Sequence, residues 1–236
     1  MDNKIAQVKI FFDDTHRYIH NNAIIKLRKE ILLETTGKIT NKKIIDIGCG
    51  NGEISIDLLD SNKVTFVDLS EKMLQEVKNN IPLAYSKNSI LINSSAEDLK
   101  VDEKYDIVIC FGLLAHVQNI TTMTDKLIEF CISKGLIFIQ FSDSSKFLTK
   151  LLTFKYTLRS YFKKDLTYKV NNISFNDLQS ILLKNQIIIK RRISYFPVLP
   201  LMSLLSYSLR YKLLQTLYKH LGDKFGSEVI LILEKL

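Results

Sequence analysis

Three glycines and two acids near the start of the chain form the pattern with the clearest chemical meaning. Gly48, Gly50 and Gly52 follow a short apolar run, which is typical of a strand that ends in a turn. Asp46 lies inside that run, and Asp68 follows the next apolar run. Glycine has no Cβ and adopts positive φ at little cost, so the turn lets the backbone approach a ligand closely. A carboxylate at the end of the second strand can accept both hydroxyls of a ribose, so the pattern predicts a nucleoside cofactor.

The spacing of the glycines argues against two common phosphate-binding loops. The dinucleotide motif G-x-G-x-x-G has its third glycine beside a pyrophosphate. Here Glu53 stands at that position, and its carboxylate would face the pyrophosphate at a helix N-terminus. The nucleotide-binding P-loop is excluded as well, because no Gly-Lys-Ser/Thr follows the turn.

The G-x-G-x-G turn and three later segments resemble the motifs of class I S-adenosylmethionine-dependent methyltransferases. Residues 67–74 resemble the second motif, 95–99 the adenine-binding loop, and 105–117 the fourth strand and its loop. The motifs come in the family's order and cover about residues 40–140. The resemblance implies an enzyme that moves a methyl group from S-adenosylmethionine to O, N or C of a small-molecule acceptor. The transfer would be an in-line displacement that needs no metal.

The segment after the fourth strand distinguishes branches of that family. Many members that methylate planar amines in nucleic acids or glutamine carry Asp/Asn-Pro-Pro-Tyr/Phe there. Residues 110–113 read Cys-Phe-Gly-Leu instead, which resembles the small-molecule, ubiquinone-biosynthesis-like branch.

The resemblance assigns roles around the glycine turn. Asp46 would hold the methionyl ammonium of the cofactor, and Gly48 and Gly50 would bring backbone beside its methionyl part. Asp68 would take both ribose hydroxyls. The alternative for Asp46 is a carboxylate that caps amides of its own turn. The alternative for Asp68 is a helix N-cap, which we consider weaker because Ser70 can cap that helix.

The expected adenine contacts depart from the family pattern at one position. Ser95 stands where the family often has Asp, and a hydroxyl pairs with an exocyclic amine more weakly than a carboxylate does. Glu97 or Asp98 could compensate, and the backbone amide of Ala96 can serve the adenine ring in any case. Met73 could pack near the adenine or be an ordinary core methionine.

His116 is the candidate for acid/base catalysis. A neutral imidazole after the fourth strand could accept a proton from a hydroxyl or amine as the methyl group leaves sulfur. The alternative is a histidine that fixes its loop through a backbone hydrogen bond. Phe111 and Leu69 are further expected cofactor contacts. Tyr18, in a predicted N-terminal helix, could close the pocket or lie on the surface.

Strand and helix patterns alternate along the chain, which indicates a parallel sheet covered on both faces. We expect one Rossmann-like, doubly wound α/β domain over residues 1–236 with a mostly parallel seven-stranded sheet. By resemblance, the last strand is antiparallel and inserted between strands five and six. Predicted strands are 43–47, 63–67, 88–92, 105–110, 135–141, 187–189 and 228–233. Predicted helices are 16–35, 53–60, 71–79, 120–133 and 174–184.

Three segments lie outside this pattern: an N-terminal helical cover at 1–36 and lid or insert segments at 142–173 and 197–225. In the last segment leucine recurs at every fourth position, which predicts amphipathic helices. The stretch 197–221 could be a lid for a quinone, a lipid or a polar metabolite. It could also contact a membrane surface, form a homodimer, or pack in the core.

The chain is moderately basic, with 33 Lys and Arg against 25 Asp and Glu. The aromatic, basic segment 154–168 with residues 190–192 leaves an RNA-binding or RNA-modifying protein as an alternative. The chain has no dedicated RNA-binding motif, which argues against nucleic acid as a partner. A non-catalytic protein that keeps the S-adenosylmethionine pocket is a further alternative.

The cysteines indicate a reducing compartment. Cys49, Cys110 and Cys131 lie in apolar surroundings without CxxC or Cys/His spacing, so we expect buried thiols rather than disulfides or a metal site. The first residues lack a signal pattern, and no uncharged run approaches a membrane span. These features predict a cytoplasmic protein.

Overall fold

The computed structural model describes residues 3–13, 22–162, 170–197, 199, 202 and 204–236. The described residues contain one seven-stranded sheet. Its strands are β1 (Lys43–Ile47), β2 (Lys63–Asp68), β3 (Ser89–Asn93), β4 (Tyr105–Phe111), β5 (Cys131–Ser142), β6 (Ile187–Tyr195) and β7 (Glu228–Lys235). The strand order across the sheet is β3-β2-β1-β4-β5-β7-β6.

The first five strands pair in parallel, and β7 runs antiparallel between β5 and β6. The predicted doubly wound sheet and its inserted last strand are therefore confirmed. Because β7 is reversed, its first residue lies at the edge where the parallel strands end. Glu228 pairs with Ser142 in the β5–β7 register, so the start of β7 and the end of β5 meet there.

Helices cover both faces of the sheet. They are α1 (Asn3–Phe12), α2 (Asn22–Thr36), α3 (Glu71–Asn80), α4 (Ile120–Phe130), α5 (Phe147–Phe162), α6 (Phe175–Lys184) and α7 (Tyr207–Phe225). Four of these helices begin at a capping side chain. Ser70, Asn119, Ser174 and Ser206 each accept a hydrogen bond from the amide three residues on, which satisfies a donor that the first turn leaves unpaired.

Each face of the sheet has its own apolar cluster, because successive strand residues point to opposite faces. Ile44 and Phe66 pack with α2, α3 and α7 on one face, whereas Ile45 and Val108 pack with α4 and α6 on the other. All four side chains have no measurable exposure. Burial of such a side chain contributes roughly 1.5–3 kcal/mol, so both layers hold the sheet edge in place.

Two predicted helices were wrong in part. The helix expected at 53–60 is a 3₁₀ turn at Ile56–Asp60, because left-handed Gly52 precedes it and Ser55 is bonded to the side chain of Asp46. The helix expected at 120–133 ends at Phe130, and β5 starts immediately afterwards. β6 is longer than expected and extends to Tyr195.

Helix α7 lies against α2 and β6. Only some of its leucines are buried: Leu214 is fully buried, whereas Leu209 is 53% and Leu221 is 40% exposed. The repeating leucine pattern therefore includes an exposed apolar face. No α7 residue lines the cavity described below. Within the described ranges, no helix is both long enough and apolar enough to cross a membrane.

Candidate functional site

A cavity of about 340 Å³ lies at the edge of the sheet where the parallel strands end. This is the usual ligand position in doubly wound folds. The glycine turn, the end of β2 and the loop after β3 form one side of its wall. The ends of β4 and β5 form the other side, and α1 adds a set of apolar side chains.

The glycine turn requires its glycines. Gly48, Gly50 and Gly52 have φ values of 74°, 55° and 78°, a region that L residues with a side chain rarely adopt. A Cβ on Gly48 would lie 3.2 Å from the Leu113 side chain. The Gly48 amide donates a 2.8 Å hydrogen bond to the carbonyl of Val67, which fixes the turn against β2. Gly48 and Gly50 both line the cavity.

Asp68 connects the turn to the end of β2. Its Oδ2 accepts from the Gly50 amide at 2.8 Å, and its Oδ1 accepts from the Ser70 amide at 2.9 Å. Burial raises the pKa of Asp68, and these amides oppose that shift. Each carboxylate oxygen can accept a further hydrogen bond. The helix cap is Ser70 itself, whose hydroxyl accepts from the Met73 amide.

The structure does not place Asp46 in the cavity wall. Its side chain is 2% exposed, and the Ser55 hydroxyl donates a 2.5 Å hydrogen bond to its Oδ2. Burial raises the pKa of Asp46 to about 7; the Ser55 hydrogen bond opposes this shift, and nearby Asp68 adds to it. A carboxyl group with this pKa is partly protonated and partly ionised at neutral pH.

The loop after β3 brings the expected adenine contacts together. Leu69, Ser95, Ala96 and Glu97 all line the cavity. The Ser95 hydroxyl donates to Oδ2 of Asp98 at 2.7 Å and accepts from the Asp98 amide at 3.0 Å. The hydroxyl proton is therefore already donated within the loop, so the hydroxyl can only accept a hydrogen bond from a ligand.

Glu97 and Met73 are two further expected cofactor contacts. The Glu97 carboxylate accepts from the Gln118 amide at 3.0 Å, which ties it to the loop after β4. Met73 is 1% exposed and does not line the cavity, which agrees with an ordinary core methionine.

His116 lies in the cavity wall just after the 3₁₀ turn Leu113–Ala115. Its ring meets the Phe12 ring edge-on, with 5.1 Å between centroids. Burial, and then the nearby Lys4 ammonium, lower the pKa of His116 to about 4. The imidazole is therefore neutral at physiological pH. Phe111, which ends β4, also lines the cavity.

The sequence interpretation missed the role of α1. Ile5, Val8 and Phe12 line the cavity, and their spacing of three and four residues places them on one helical face. That spacing was readable in the sequence. Tyr18, which we expected to close the pocket, lies outside the described residues.

The sequence interpretation also missed a buried polar cluster at the β5 side of the cavity. Glu228 accepts from Arg28 at 3.2 Å, from Gln140 Nε2 at 2.7 Å and from the Ser142 hydroxyl at 2.6 Å. Arg28 Nε also donates to the Tyr195 hydroxyl at 2.7 Å. The available signal was a glutamine and a glutamate within strand runs that are otherwise apolar.

Two of the basic residues considered for RNA binding form ion pairs within the chain. Lys190 pairs with Glu234, and Arg192 pairs with Asp143, both at 3.2 Å. In the aromatic segment 154–168, the side chains of residues 155–168 are outside the part of the chain that the structure describes. In the part of the chain that the structure describes, no three His, Cys, Asp or Glu side chains form a metal-binding group.

Comparison with known proteins gives a family match over residues 44–135, to the family described as a methyltransferase domain. Ubiquinone biosynthesis O-methyltransferase of Rickettsia bellii (strain OSU 85-389) is 29% identical over 128 residues, 51% of this chain and 51% of the relative. The Rickettsia prowazekii (strain Madrid E) protein of the same name is 31% identical over 115 residues, 46% of this chain and 43% of the relative. The chain thus spans about half the length of the curated relatives that it matches.

A solved structure resembles this one over the whole chain. Magnesium protoporphyrin IX methyltransferase from Synechocystis PCC 6803, crystallised with bound S-adenosylhomocysteine (SAH), superposes with a TM-score of 0.69. The match covers 99% of this chain and 100% of that chain at 18% identity, so it shows a shared fold. Residues 44–135 thus match a methyltransferase domain, and the chain shares its fold with a solved methyltransferase.

Proposed function

We propose that this protein transfers the methyl group of S-adenosylmethionine to a small-molecule acceptor. The proposal rests on one observation: the glycine turn and Asp68 lie in the same cavity wall. Gly48 and Gly50 present backbone without side chains, and Asp68 presents a carboxylate that is fixed by two amides. The methyltransferase-domain match over residues 44–135 and the curated relatives support the reaction class.

The residues present fit this cosubstrate. Gly48 and Gly50 line the cavity with backbone, and a side chain on Gly48 would crowd Leu113. We assign the ribose hydroxyls to Asp68, since both of its oxygens can accept further hydrogen bonds. Leu69 and Ala96 offer apolar surface for the adenine ring in the same wall. When bound, S-adenosylmethionine supplies an electrophilic methyl group on its sulfonium sulfur.

The chain's main contribution to the rate is positioning. Methyl transfer needs the nucleophile, the methyl carbon and the sulfur in line, and such alignment can contribute roughly 7–11 kcal/mol. Ile5, Val8 and Phe12 of α1 cover the cavity with apolar surface, which keeps water from the reacting atoms.

We assign His116 a place beside the acceptor. Its neutral imidazole can accept a hydrogen bond from an acceptor O–H or N–H. With a pKa of about 4 it is a weak base in the resting enzyme. It therefore takes the proton only as the nucleophile becomes acidic in the transition state.

The nature of the acceptor is part of the proposal. The curated relatives are named for O-methylation in ubiquinone biosynthesis, which favours an acceptor oxygen for this enzyme as well.

A cytoplasmic location is supported by the cysteines, which are three buried free thiols. The exposed leucines of α7, among them Leu209 and Leu213, support contact with a membrane surface or with a second copy of the chain.

The test is incubation of the purified protein with methyl-labelled S-adenosylmethionine and a cell extract separated into small molecules and RNA. We expect label to enter the small-molecule fraction, and we expect this to require the protein. Label in RNA would contradict the small-molecule acceptor. Tight cosubstrate binding without transfer to either fraction would favour the non-catalytic alternative.

A further inference from the structure

One buried atom in the cavity wall has no hydrogen-bond partner among the described residues. Gln140 is 1% exposed and lines the cavity, yet its Oε1 accepts no hydrogen bond from this part of the chain. This oxygen lies beside Gly112, which also lines the cavity; a Cβ on Gly112 would be 3.8 Å from it. Buried polar atoms in native proteins are almost always paired, so an unpaired one in a ligand cavity points to a ligand.

The orientation of the Gln140 amide is fixed by its neighbours. A carboxylate only accepts hydrogen bonds, so the amide nitrogen must face Glu228, which it meets at 2.7 Å. Arg28 and the Ser142 hydroxyl donate to the same carboxylate and hold it in place. The amide oxygen is therefore directed away from this cluster and cannot exchange places with the nitrogen without breaking it.

Gln140 lies on the acceptor side of the cavity, not on the nucleoside side. Asp68 ends β2 and Gln140 lies near the end of β5, three strands away in the order β2-β1-β4-β5. At about 4.8 Å per strand the separation is roughly 14 Å. Gln140 pairs with Phe111 on β4, just before the turn that carries His116. A group on this side would approach the reacting methyl from beyond the ribose.

We propose that Oε1 of Gln140 accepts a hydrogen bond from an O–H or N–H of the methyl acceptor. This inference rests on the proposed function and narrows it to acceptors that carry a neutral hydroxyl or amine. The amide oxygen of Gln140 would repel a carboxylate. It cannot form a hydrogen bond with an ether, because an ether has no donor. Gln140 is thus a specificity-determining residue, and Glu228 is a positioning residue that acts through it.

The test uses four ring compounds that differ only in their polar group. Phenol and aniline donate a hydrogen bond, whereas anisole and benzoate do not. Each is titrated by ligand-observed NMR into the full-length protein saturated with SAH. We expect phenol and aniline to bind about three- to tenfold more tightly than anisole and benzoate, as one buried hydrogen bond predicts. Equal binding of all four would overturn the inference.

Variants of Gln140 and Glu228 test whether these two residues cause the preference for phenol and aniline. Gln140→Leu keeps the side-chain volume and should bind SAH normally while losing the preference for phenol and aniline. Glu228→Met frees the Gln140 amide to turn over and should weaken the preference as well. Glu228→Gln still offers an oxygen to Arg28 and Gln140 and should retain it, an outcome that a general packing defect would not give. Full preference in Gln140→Leu would contradict the role of Gln140.

The two proposals fail in different ways. If the wild-type protein does not bind SAH, the proposed function itself fails. If SAH binds but the compounds bind without a donor preference, only the inference about Gln140 fails. Loss of SAH binding in Gln140→Leu would indicate misfolding, and the Glu228→Met and Glu228→Gln pair would then decide the question.

Discussion

The backbone amide of Gly50 donates a 2.8 Å hydrogen bond to Oδ2 of Asp68. This bond joins the glycine turn after β1 to the end of β2, so it connects the two features that contact the cavity. The Ser70 amide fixes the other carboxylate oxygen at 2.9 Å. Asp68 is thus held in one orientation before any ligand arrives, which lowers the entropic cost of binding.

Gly48→Ala should weaken S-adenosylmethionine binding and lower the free energy of unfolding. A left-handed φ of 74° costs an L residue about 1–2 kcal/mol, and the new methyl group would meet Leu113 at 3.2 Å. Urea unfolding measures the stability, and isothermal titration calorimetry measures the affinity.

Gly37→Ala is the matched control for that substitution. Gly37 has a φ of 61° and open space where its Cβ would lie, and it does not line the cavity. We expect the same backbone cost of about 1–2 kcal/mol with unchanged affinity. Equal losses of affinity in both variants would show that the turn acts only through global stability.

Asp46 should make stability fall as pH rises from about 4 to about 7. Its folded-state pKa is raised from 3.8 to about 7, so in this window the folded state holds a proton that the unfolded state has lost. The contribution is fully present below the unfolded pKa and is lost as pH rises through the folded one. The loss amounts to roughly 1.4 kcal/mol per pH unit.

His116 changes stability in the opposite direction over nearly the same window, because its folded-state pKa is lowered from 6.5 to about 4. The wild-type curve alone therefore cannot isolate Asp46. The free energy of unfolding should be measured against pH for the wild type and for Asp46→Asn, which keeps the acceptor for Ser55. The wild type should lose stability relative to the variant by on the order of 3–4 kcal/mol; parallel curves would contradict the raised pKa.

Lys4→Met should raise the pKa of His116 above about 4, because the Lys4 charge is one of the two causes of the depression. Burial is the larger cause, so the pKa should stay below 6.5. Titration of the His116 ring protons by NMR measures both values. An identical midpoint in the two proteins would exclude electrostatic coupling between these side chains.

His116→Ala should leave S-adenosylmethionine affinity unchanged and reduce turnover by about 10²-fold, the lower end of general acid–base effects. Calorimetry and the label-transfer assay separate the two quantities. Full turnover in this variant would reduce His116 to a residue that shapes its loop.

The nucleoside side of the site could be predicted from the sequence because its signals are local. The glycine turn, Asp68 and the loop from Ser95 to Glu97 each follow directly after an apolar run that forms a strand. Parallel strands all end at the same edge, so these residues had to meet there. The helix expected after the turn was wrong because a side-chain bond from Ser55 to buried Asp46 shapes that stretch.

The acceptor side could not be predicted in the same way, because it depends on long-range register. Gln140 and Glu228 are 88 residues apart in sequence and meet only because β7 inserts antiparallel beside β5. Both strands are apolar on both faces, so no alternation of residue types reveals their register. The α1 contacts had a readable spacing, but a short amphipathic helix does not show which surface it covers.

The most direct test of the central claim is the affinity of S-adenosylmethionine for Asp68→Ala, measured by isothermal titration calorimetry. Hydrogen bonds to a charged group contribute about 1.5–3 kcal/mol, so we expect binding to weaken by roughly tenfold or more. Glu71→Ala, which removes a nearby exposed acid outside the cavity, should bind like the wild type. Unchanged affinity in a folded Asp68→Ala protein would contradict the assignment of this cavity to the nucleoside.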